Sequence, residues 1–311
     1  SLVPERTNMK VLVTGGLGFQ GCHLVRALSP EHEVTILNTP SPHAQRNLQW
    51  LSALEPRLSF RLVYGSVTDA LLVRKCVRDQ DAVLHLAAFT SVDASFEQPG
   101  AALTVNVQGT YYVLEAVRQL APTARVLVAS TCEVYGGIKG DLAVIAKVSD
   151  AQGAMWPMQP HSPYAAAKAG ADVLAQAYGT TYDLRVVILR PCNVYGPRQK
   201  AGVNGAVIPT MTAAAQAGGP IRVTGDGLQL REFLHVSDIV RAYRAVLSSQ
   251  HWDSRYLHGR AFTFSSGQRI AMAEIAAYLG HHYNVAVEHV TARPGEVAGF
   301  ALERDQAARN F

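Results

Sequence analysis

A glycine-rich turn near the start of the chain most constrains how this sequence can fold. The apolar run Lys10–Thr14 predicts a buried strand and leads directly into Gly15-Gly-Leu-Gly-Phe-Gln-Gly21. Glycines at positions 15, 18 and 21 precede a helical pattern that continues to about Leu28. Because glycine has no Cβ, the backbone of such a turn can approach a pyrophosphate at the N-terminus of the next helix. The order of strand, turn and helix therefore predicts a dinucleotide site.

Apolar runs and helical patterns alternate through the first two thirds of the chain. Further strands are predicted at Glu33–Leu37, Leu58–Val63, Ala82–Ala88, Arg125–Ala129 and Leu184–Leu189, and helices from about Ala70, over 106–120 and over 164–178. This βαβ alternation predicts an α/β fold with a doubly wound parallel (Rossmann) sheet and right-handed crossovers. Beyond about residue 197 the segments become short and rich in Gly and Pro, which indicates a smaller C-terminal α/β domain.

The domain prediction follows from this change in character. Residues 9–190, with roughly 232–262, form the dinucleotide-binding domain, and 191–231 with 263–311 form the substrate-binding domain. We interpret residues 1–8 as a tag or a loose tail, with Met9 as a plausible native start. Within the later part, Thr224–Gly227 predicts a turn, and Ser237 with Asp238 predicts the N-cap of a helix.

Composition excludes several classes of protein. The chain has 311 residues and a net charge of +4, with no Lys/Arg run, so no nucleic-acid partner is predicted. No apolar run approaches the roughly 18 residues that a membrane span needs. None of the four cysteines lies in a CxxC or Cys/His cluster, so no metal site and no disulfide framework is expected. These features suit a reducing, cytoplasmic setting.

Two short stretches carry the candidate chemistry. Thr131, Cys132 and Glu133 follow the carboxyl end of a predicted strand, where open α/β sheets place their ligands. Tyr164 and Lys168 lie four residues apart in an alanine-rich segment, so a helix places them on one face. An ammonium beside a phenol favours the phenolate and lowers its pKa from about 10. Tyr164 is therefore a candidate general acid and base.

The same Tyr-x-x-x-Lys spacing also occurs with a core tyrosine and a solvent-exposed lysine, so other motifs must decide. They occur in order along the chain: Gly15–Gly21, His85-Leu-Ala-Ala88, Asn106-Val-Gln-Gly-Thr110, Ser130–Gly136, Arg190-Pro-Cys-Asn-Val-Tyr-Gly-Pro197, Gly225-Asp-Gly227, Arg231-Glu-Phe233 and Arg293-Pro-Gly-Glu296. Together they resemble the motifs of extended short-chain dehydrogenase/reductases, in the nucleotide-sugar epimerase/dehydratase family. His85 itself, in an apolar strand, we interpret as a core residue.

The resemblance implies tightly held NAD that is reduced and reoxidised within one turnover on a nucleotide-diphosphate sugar. Tyr164 would take the proton of the sugar C4 hydroxyl, Thr131 would bond the same hydroxyl, and Lys168 would hold the nicotinamide ribose and lower the Tyr164 pKa. The cofactor contacts it implies are Gly15, Gly18, Phe19, Gln20, Gly21, Asn38, Ser66, Val67, Leu86, Ala87, Ala88, Thr90, Asn106, Tyr164, Lys168, Pro191 and Val194. The substrate contacts are Ser91, Thr131, Asn193, Arg231 and Arg293, and arginine's planar fork suits the diphosphate.

Some positions depart from the family pattern. Asn38 replaces the acid that usually bonds the adenosine ribose, Ser66 replaces an Asp that commonly bonds adenine, and Arg46 would favour a 2′-phosphate. We therefore expect NAD, with NADP the less favoured cofactor. Thr90 stands where some epimerases carry Lys. Relatives pair two helices per subunit, so a homodimer through 106–120 and 164–178 is expected, with Tyr111, Tyr112 and Leu174 as candidate contacts.

Three functions remain open at this point: a dehydratase or decarboxylase that works at C5 after C4 oxidation, a plain C4-epimerase, and an NAD-binding redox sensor without turnover. Sensors of this kind typically lose the Tyr or the Lys, and both are present. In plain epimerases the two positions after the Ser/Thr are typically small or apolar, whereas here they are Cys132 and Glu133. The hypothesis is dehydration, with Glu133 as the base at C5 and Cys132, a protonated thiol at neutral pH, as the acid.

Overall fold

The structure is a computed structural model that describes residues 8–54, 58–136 and 158–291. Strands and helices alternate along the chain, as the sequence predicts. The strands are β1 (Lys10–Thr14), β2 (Glu33–Asn38), β3 (Phe60–Tyr64), β4 (Ala82–His85), β5 (Arg125–Ala129), β6 (Val186–Pro191), β7 (Asn193–Tyr195), β8 (Ile221–Thr224), β9 (Leu230–His235), β10 (Arg260–Phe264), β11 (Arg269–Ala271) and β12 (Val287–Val290). The α-helices are α1 (Phe19–Leu28), α2 (Pro42–Leu54), α3 (Ala70–Val77), α4 (Val92–Glu97), α5 (Pro99–Leu103), α6 (Gly109–Leu120), α7 (Pro163–Tyr182), α8 (Val207–Gln216), α9 (Val236–Ser248) and α10 (Met272–Tyr283).

Seven strands form one parallel sheet in the order β10-β6-β5-β4-β1-β2-β3. The order reverses at β1, since β2 and β3 lie on one side of it and β4, β5 and β6 lie on the other. In open α/β sheets, ligands bind beyond the carboxyl ends of the strands at such a switch point. The predicted Rossmann fold is confirmed, and the glycine-rich turn lies at the switch point.

Side chains of the central strands alternate between two buried layers. On β1, Val11 and Val13 belong to the cluster that includes α1 and α9, while Leu12 belongs to the cluster that includes α3 and α6. The period of two is what a strand with both faces covered requires. Burial of each such side chain stabilises the fold by about 1.5–3 kcal/mol, so the sheet is a firm platform for the loops at its carboxyl edge.

A smaller unit lies after the main crossovers. Strands β7, β9 and β11 form one sheet, β8 and β12 form another, and α8 and α10 pack on the latter. A separate apolar cluster that includes Met211, Val223 and Met272 forms its core. Strand β10, which the sequence did not predict, joins β6 at the edge of the main sheet. The expected domain boundary between residues 262 and 263 therefore falls inside a strand.

Two local predictions differ from the structure. Helix α9 begins at Val236, and its N-cap is His235, whose ring nitrogen accepts from the Ser237 amide at 3.3 Å. The predicted Ser237/Asp238 cap was wrong, because the helix begins one residue before Ser237 and the His235 ring supplies the capping acceptor. The helix predicted from Asn106 begins earlier in the chain, because α5, a π-helical segment at Thr104–Gln108 and α6 follow one another without a break. Within the described ranges no helix combines the length and apolar character needed to cross a membrane.

Candidate active site

The three glycines of the turn meet different surroundings. Gly15 has φ +71°, and a Cβ there would lie 2.7 Å from the Ala87 backbone nitrogen. A Cβ on Gly21 would lie 2.1 Å from the Gly15 carbonyl oxygen. A Cβ on Gly18 would meet only that same oxygen, at 3.0 Å. The fold itself therefore requires glycine at 15 and 21, whereas at Gly18 the surface is left open for a ligand to approach.

The N-terminus of α1 suits the pyrophosphate of a dinucleotide. Gly18 is the N-cap residue, and no side chain accepts from the first-turn N–H groups. The Gln20 Oε1 is buried without a hydrogen-bond partner among the described residues. Unpaired N–H groups and the helix dipole favour an anion at this point. The residues present thus fit the cofactor that the turn predicts.

Asn38 is engaged within the turn. Its Oδ1 accepts from the Leu17 amide at 3.0 Å, and its Nδ2 donates to the Thr39 carbonyl oxygen at 2.7 Å. The side chain thereby ties the end of β2 to the glycine-rich turn. Its contact with the adenosine ribose, like that of Ser66 with adenine, stays a prediction. The Ser66 hydroxyl accepts from the Thr68 amide at 3.1 Å and shapes the turn before α3.

Asn106 reaches the cofactor edge through the loop after β4. It is 1 % exposed, its Oδ1 accepts from the Phe89 amide at 2.7 Å, and its Nδ2 donates to the Phe89 carbonyl oxygen at 3.1 Å. Both halves of the amide are therefore used to hold the loop in place. That loop carries the predicted contacts Leu86, Ala87, Ala88 and Thr90. Asn106 therefore holds this loop in place, and its own contact with the cofactor stays a prediction.

His85 is a core residue, as predicted. It is 3 % exposed, and its ring nitrogens bond the Thr14 hydroxyl at 2.7 Å and the Thr110 hydroxyl at 3.0 Å. Burial lowers the pKa of His85 to about 3, and the charge of Lys168 acts in the same direction. The ring stays neutral at physiological pH and joins β1, β4 and α6.

The structure brings Thr131, Glu133 and Tyr164 together. Thr131 caps a 3₁₀ turn at Cys132–Tyr135, and its Oγ1 accepts from the Glu133 amide at 3.2 Å. The same side chain hydrogen-bonds the Tyr164 phenol. At the start of α7, the Tyr164 amide donates to the Ser95 hydroxyl at 3.1 Å, and the Ser162 hydroxyl caps the helix. These bonds fix the backbone at the start of α7, and the phenol lies against Thr131 at the carboxyl end of β5.

The expected fall in the pKa of Tyr164 is wrong for the protein chain alone. Burial raises the pKa of this phenol well above its usual value, and the charges of Glu133 and Cys132 raise it further. The hydrogen bond with Thr131 opposes them without reversing the direction. The prediction counted the Lys168 ammonium and left out the loss of water and the neighbouring carboxylate. Tyr164 is accordingly protonated across the neutral range.

Lys168 lies one helical turn further along α7 and is 7 % exposed. Its Nζ donates to the carbonyl oxygen of Ala129. Burial lowers the pKa of Lys168 to about 8, and the nearby Asp172 carboxylate acts in the opposite direction. The ammonium is thus retained at neutral pH through a carboxylate that sequence analysis did not single out.

A buried charge network lies beneath these residues. Asp172 and Arg190 are 0 % and 2 % exposed and form a bidentate pair, with Nε–Oδ2 at 2.9 Å and Nη2–Oδ1 at 2.8 Å. The Ser130 hydroxyl also donates to Asp172, and Arg190 donates to the Tyr135 hydroxyl at 2.9 Å. Removing one partner of such a pair leaves an uncompensated buried charge. The network joins the end of β5, strand β6 and helix α7, and it fixes the position of α7 against the sheet.

Cys132 and Glu133 differ in exposure. Cys132 is 1 % exposed and contributes to a small apolar cluster with Val134, whereas the Glu133 side chain is 20 % exposed. His161 lies with its Nε2 3.8 Å from the Glu133 Oε2, and its Nδ1 is buried without a partner among the described residues. Sequence reasoning missed His161, although its place three residues before Tyr164 was a usable signal.

The structure describes four of the five predicted substrate residues, each with partners within the chain, and their contact with a substrate stays a prediction. Ser91 caps α4 and donates to the Asn204 Oδ1 at 3.0 Å. Asn193 donates to the Glu232 carbonyl oxygen at 3.1 Å, and Arg231 donates to the Leu230 carbonyl oxygen at 2.9 Å. Pro191 and Val194 are buried in β6 and β7, and Arg293 lies outside the described residues. In the part of the chain that the structure describes, no cluster of three metal-ligating side chains occurs.

Comparison with known proteins assigns the family. The profile of the NAD dependent epimerase/dehydratase family matches residues 11–256. The chain belongs to this family. A dTDP-glucose 4,6-dehydratase from Mycobacterium tuberculosis is 34 % identical over 95 % of this chain and 85 % of that enzyme. One from Xanthomonas campestris is 35 % identical over 94 % of this chain and 84 % of that enzyme.

Solved structures place this epimerase/dehydratase among the same enzymes. The Streptomyces venezuelae dTDP-glucose 4,6-dehydratase DesIV, with NAD and TYD bound, has a TM-score of 0.81 at 33 % identity and covers 95 % of this chain and 88 % of its own. MoeE5, in complex with UDP-glucuronic acid and NAD, has a TM-score of 0.80 at 30 % identity, and the match covers 97 % of this chain and 92 % of MoeE5. A UDP-N-acetylglucosamine 4-epimerase from Methanobrevibacter ruminantium has a TM-score of 0.81 at 27 % identity, and the match covers 96 % of this chain and 90 % of that epimerase. The predicted family, fold, cofactor NAD and enzyme class are confirmed.

Proposed function

We propose that this enzyme dehydrates a nucleoside-diphosphate hexose after transient oxidation at C4. The observation that carries the proposal is the pair Cys132 and Glu133, two proton-transferring side chains that directly follow Thr131. Both act electrostatically on the phenol of Tyr164, so all three side chains share one site. A plain epimerase needs no acid or base beyond the tyrosine and its hydroxyl partner.

Tyr164 accepts the proton of the C4 hydroxyl while Thr131 bonds the same oxygen. When bound, NAD would supply the hydride acceptor for C4 and give the hydride back at C6 after water has left, and the positive charge of its oxidised ring would lower the cost of a Tyr164 phenolate. Lys168 adds a second positive charge, and Asp172 keeps that ammonium protonated at neutral pH. Phe19, Gln20 and Gly21 would hold the pyrophosphate at the N-terminus of α1.

The resulting 4-keto group acidifies the hydrogen on C5. Glu133 removes that proton, and the electrons of the C5–H bond form the new double bond as the C6–O bond breaks. Cys132 protonates the leaving hydroxyl, so one water is lost and the thiolate remains. Glu133 then returns its proton to C5 as the hydride is given back at C6, and the proton that Tyr164 took from the C4 hydroxyl balances the one that Cys132 lost. Burial raises the pKa of Cys132 well above its usual value, so the thiol holds its proton at neutral pH, as an acid must.

Substrate anchoring and assembly belong to the same proposal. Asn193, Arg231 and Arg293 bind the diphosphate, Ser91 contacts the sugar side, and the part formed by 191–231 and 263–311 closes over the cofactor part.

A homodimer forms through α6 and α7, where Tyr111 is 42 % and Val173 54 % exposed. Tyr112 and Leu174 are partly buried against the core, and their part in the interface stays a prediction. We expect the enzyme to act in the cytoplasm, where its four free, buried cysteines stay reduced.

Incubation with dTDP-glucose, UDP-glucose and UDP-glucuronic acid, read by mass spectrometry, tests the proposal. A mass loss of one water from a hexose supports dehydration, whereas loss of carbon dioxide from the uronic acid or an unchanged mass would favour decarboxylation or epimerisation. In deuterated water a dehydratase of this kind exchanges the C5 hydrogen. Glu133→Gln should stop that exchange and still permit NAD reduction. A product inverted only at C4, with no label at C5, would overturn the proposal.

A further inference from the structure

A second thiol and a buried carboxylate lie behind Cys132. Cys132 and Cys192 are 1 % and 2 % exposed and belong to the same apolar cluster, and the Cys192 thiol is one of the groups that raise the pKa of Cys132. Neither the family comparison nor the proposed chemistry uses Cys192. A buried thiol that contacts the proposed acid can affect its proton directly.

The backbone fixes where Cys192 and Glu232 stand. The Cys192 amide donates to the Phe264 carbonyl oxygen at 2.8 Å, at the junction of β6 and β10. The next residue, Asn193, pairs with Phe233 in the β7/β9 register, and its side chain donates to the Glu232 carbonyl oxygen. This places Cys192 beside Glu232 across the two strands.

Glu232 is unusual for its burial. It is 1 % exposed, and its Oε2 accepts from the Gly267 amide at 3.1 Å. Carboxylates are rarely this buried without a specific role, because taking the charge out of water is costly. Its position in β9 brings that charge within electrostatic range of Cys132.

We propose that Cys192 and Glu232 are positioning residues that hold Cys132 as a proton donor rather than a nucleophile. The inference rests on the proposed function of Cys132 and deepens it. The groups that act on Cys132 in the described structure are Cys192, Glu133, Glu232 and Tyr164, and His161 lies beyond Glu133, with its Nε2 3.8 Å from the Glu133 Oε2. None of the four that act on Cys132 is a cation, so none of them stabilises a thiolate there.

Burial is the largest cause that raises the pKa of Cys132, followed by the hydrogen bond with Cys192 and the charges of Glu133 and Glu232. A catalytic nucleophilic thiol has the opposite surroundings, with a cation or a helix N-terminus to stabilise the thiolate. The arrangement at Cys132 therefore favours delivery of a proton. Since Glu133 has its own role at C5, Glu232 is the carboxylate available to tune the acid alone.

The test measures how fast iodoacetamide alkylates Cys132 in the full-length protein, by peptide mass spectrometry at about pH 8. Only the thiolate reacts, so the rate reports the deprotonated fraction. Cys22 and Cys76, which are buried elsewhere, are quantified in the same digest, and the Cys132 rate is divided by theirs. This ratio removes any general loosening of the fold.

Glu232→Gln keeps the shape and removes the charge, so the thiolate fraction should increase and the ratio should rise at least about threefold. Cys192→Ala should also raise it, while Cys192→Ser, which keeps a hydrogen-bonding group, should stay within about threefold of the native protein. A ratio that stays within about twofold in both Glu232→Gln and Cys192→Ala would overturn the proposal.

The alkylation assay needs no sugar, so its outcome is separate from that of the proposed function. Once a sugar that the enzyme dehydrates is known, the Glu232→Gln variant should lose more of its dehydration rate at high pH than at neutral pH, because Cys132 then loses its proton at a lower pH than in the native enzyme. An equal loss of rate at both pH values would indicate a structural role for Glu232 and overturn its part in holding the proton on Cys132. If no sugar is dehydrated but the ratio rises, the proposed function fails and the positioning of the thiol stands.

Discussion

Replacing Gly18 by Val separates cofactor binding from folding. In the folded chain Gly18 has φ −72° and ψ 179°, a conformation that any residue adopts. A Cβ there would contact only the Gly15 carbonyl oxygen, at 3.0 Å. Valine is a poorer N-cap than glycine, so the substitution should lower the free energy of unfolding by only about 1 kcal/mol.

The effect on NAD should be much larger. The isopropyl group would stand at the N-terminus of α1, where the pyrophosphate must come close to the backbone. Loss of those contacts should weaken NAD binding at least about 100-fold, equivalent to about 2.7 kcal/mol. The assay is calorimetric titration with NAD after removal of bound cofactor, together with thermal unfolding of the cofactor-free protein.

Two matched substitutions complete the design. Gly100→Ala, in helix α5, adds a Cβ that meets nothing within 4 Å, so NAD binding should be unchanged, and stability should be unchanged or higher by up to about 1 kcal/mol because alanine favours a helix. Gly21→Ala forces a Cβ to 2.1 Å from a backbone oxygen, so stability should fall together with binding. The reasoning is refuted if Gly18→Val folds normally and binds NAD with native affinity, or if its stability falls as far as that of Gly21→Ala.

Tyr164→Phe keeps the ring and removes the proton carrier, so turnover should fall by about 10²–10⁴ with NAD affinity nearly unchanged; normal turnover would make the residue purely structural. Asp172→Asn leaves its arginine partner buried and unpaired and should lower the free energy of unfolding by about 3–5 kcal/mol in urea titration, and a loss below about 1 kcal/mol would contradict this. Because the folded pKa of His85 is about 3 against 6.5 in the unfolded chain, the unfolded state binds more protons between these values, so stability should rise with pH across that window. His85→Gln should flatten this rise, and an unchanged slope would remove His85 as its source. Light scattering should show a dimer that Val173→Glu dissociates and Leu71→Glu, on an exposed site of α3, does not; a native monomer at micromolar concentration would contradict the interface.

Local patterns predicted the elements that are fixed by local physics. The glycine spacing, the β-branched strands and the alanine-rich helix each carry their own conformational preference, so β1, β5 and α7 were found where expected. Prediction was weaker where an element depends on a distant partner. Strand β10 is stabilised as an edge strand by pairing with β6, and its own sequence, Arg260–Phe264, has no continuous apolar run.

The sequence by itself determined the Rossmann order, the dinucleotide turn, and the residue types Thr131, Cys132, Glu133, Tyr164 and Lys168, because these follow from short-range spacing and chain order. Only the tertiary structure decided how those groups are charged. The Tyr164 pKa rises instead of falling, since burial and a carboxylate act on the phenol, and neither is readable from the spacing of two residues. The same holds for Glu232 on β9, which is distant from Cys132 in the sequence and comes near it only when the strands pack. Asp172 differs, because it lies four residues after Lys168 on α7 and the helix itself brings the two together. Proton affinity depends on the surrounding dielectric and charges, and those exist only once the chain has folded.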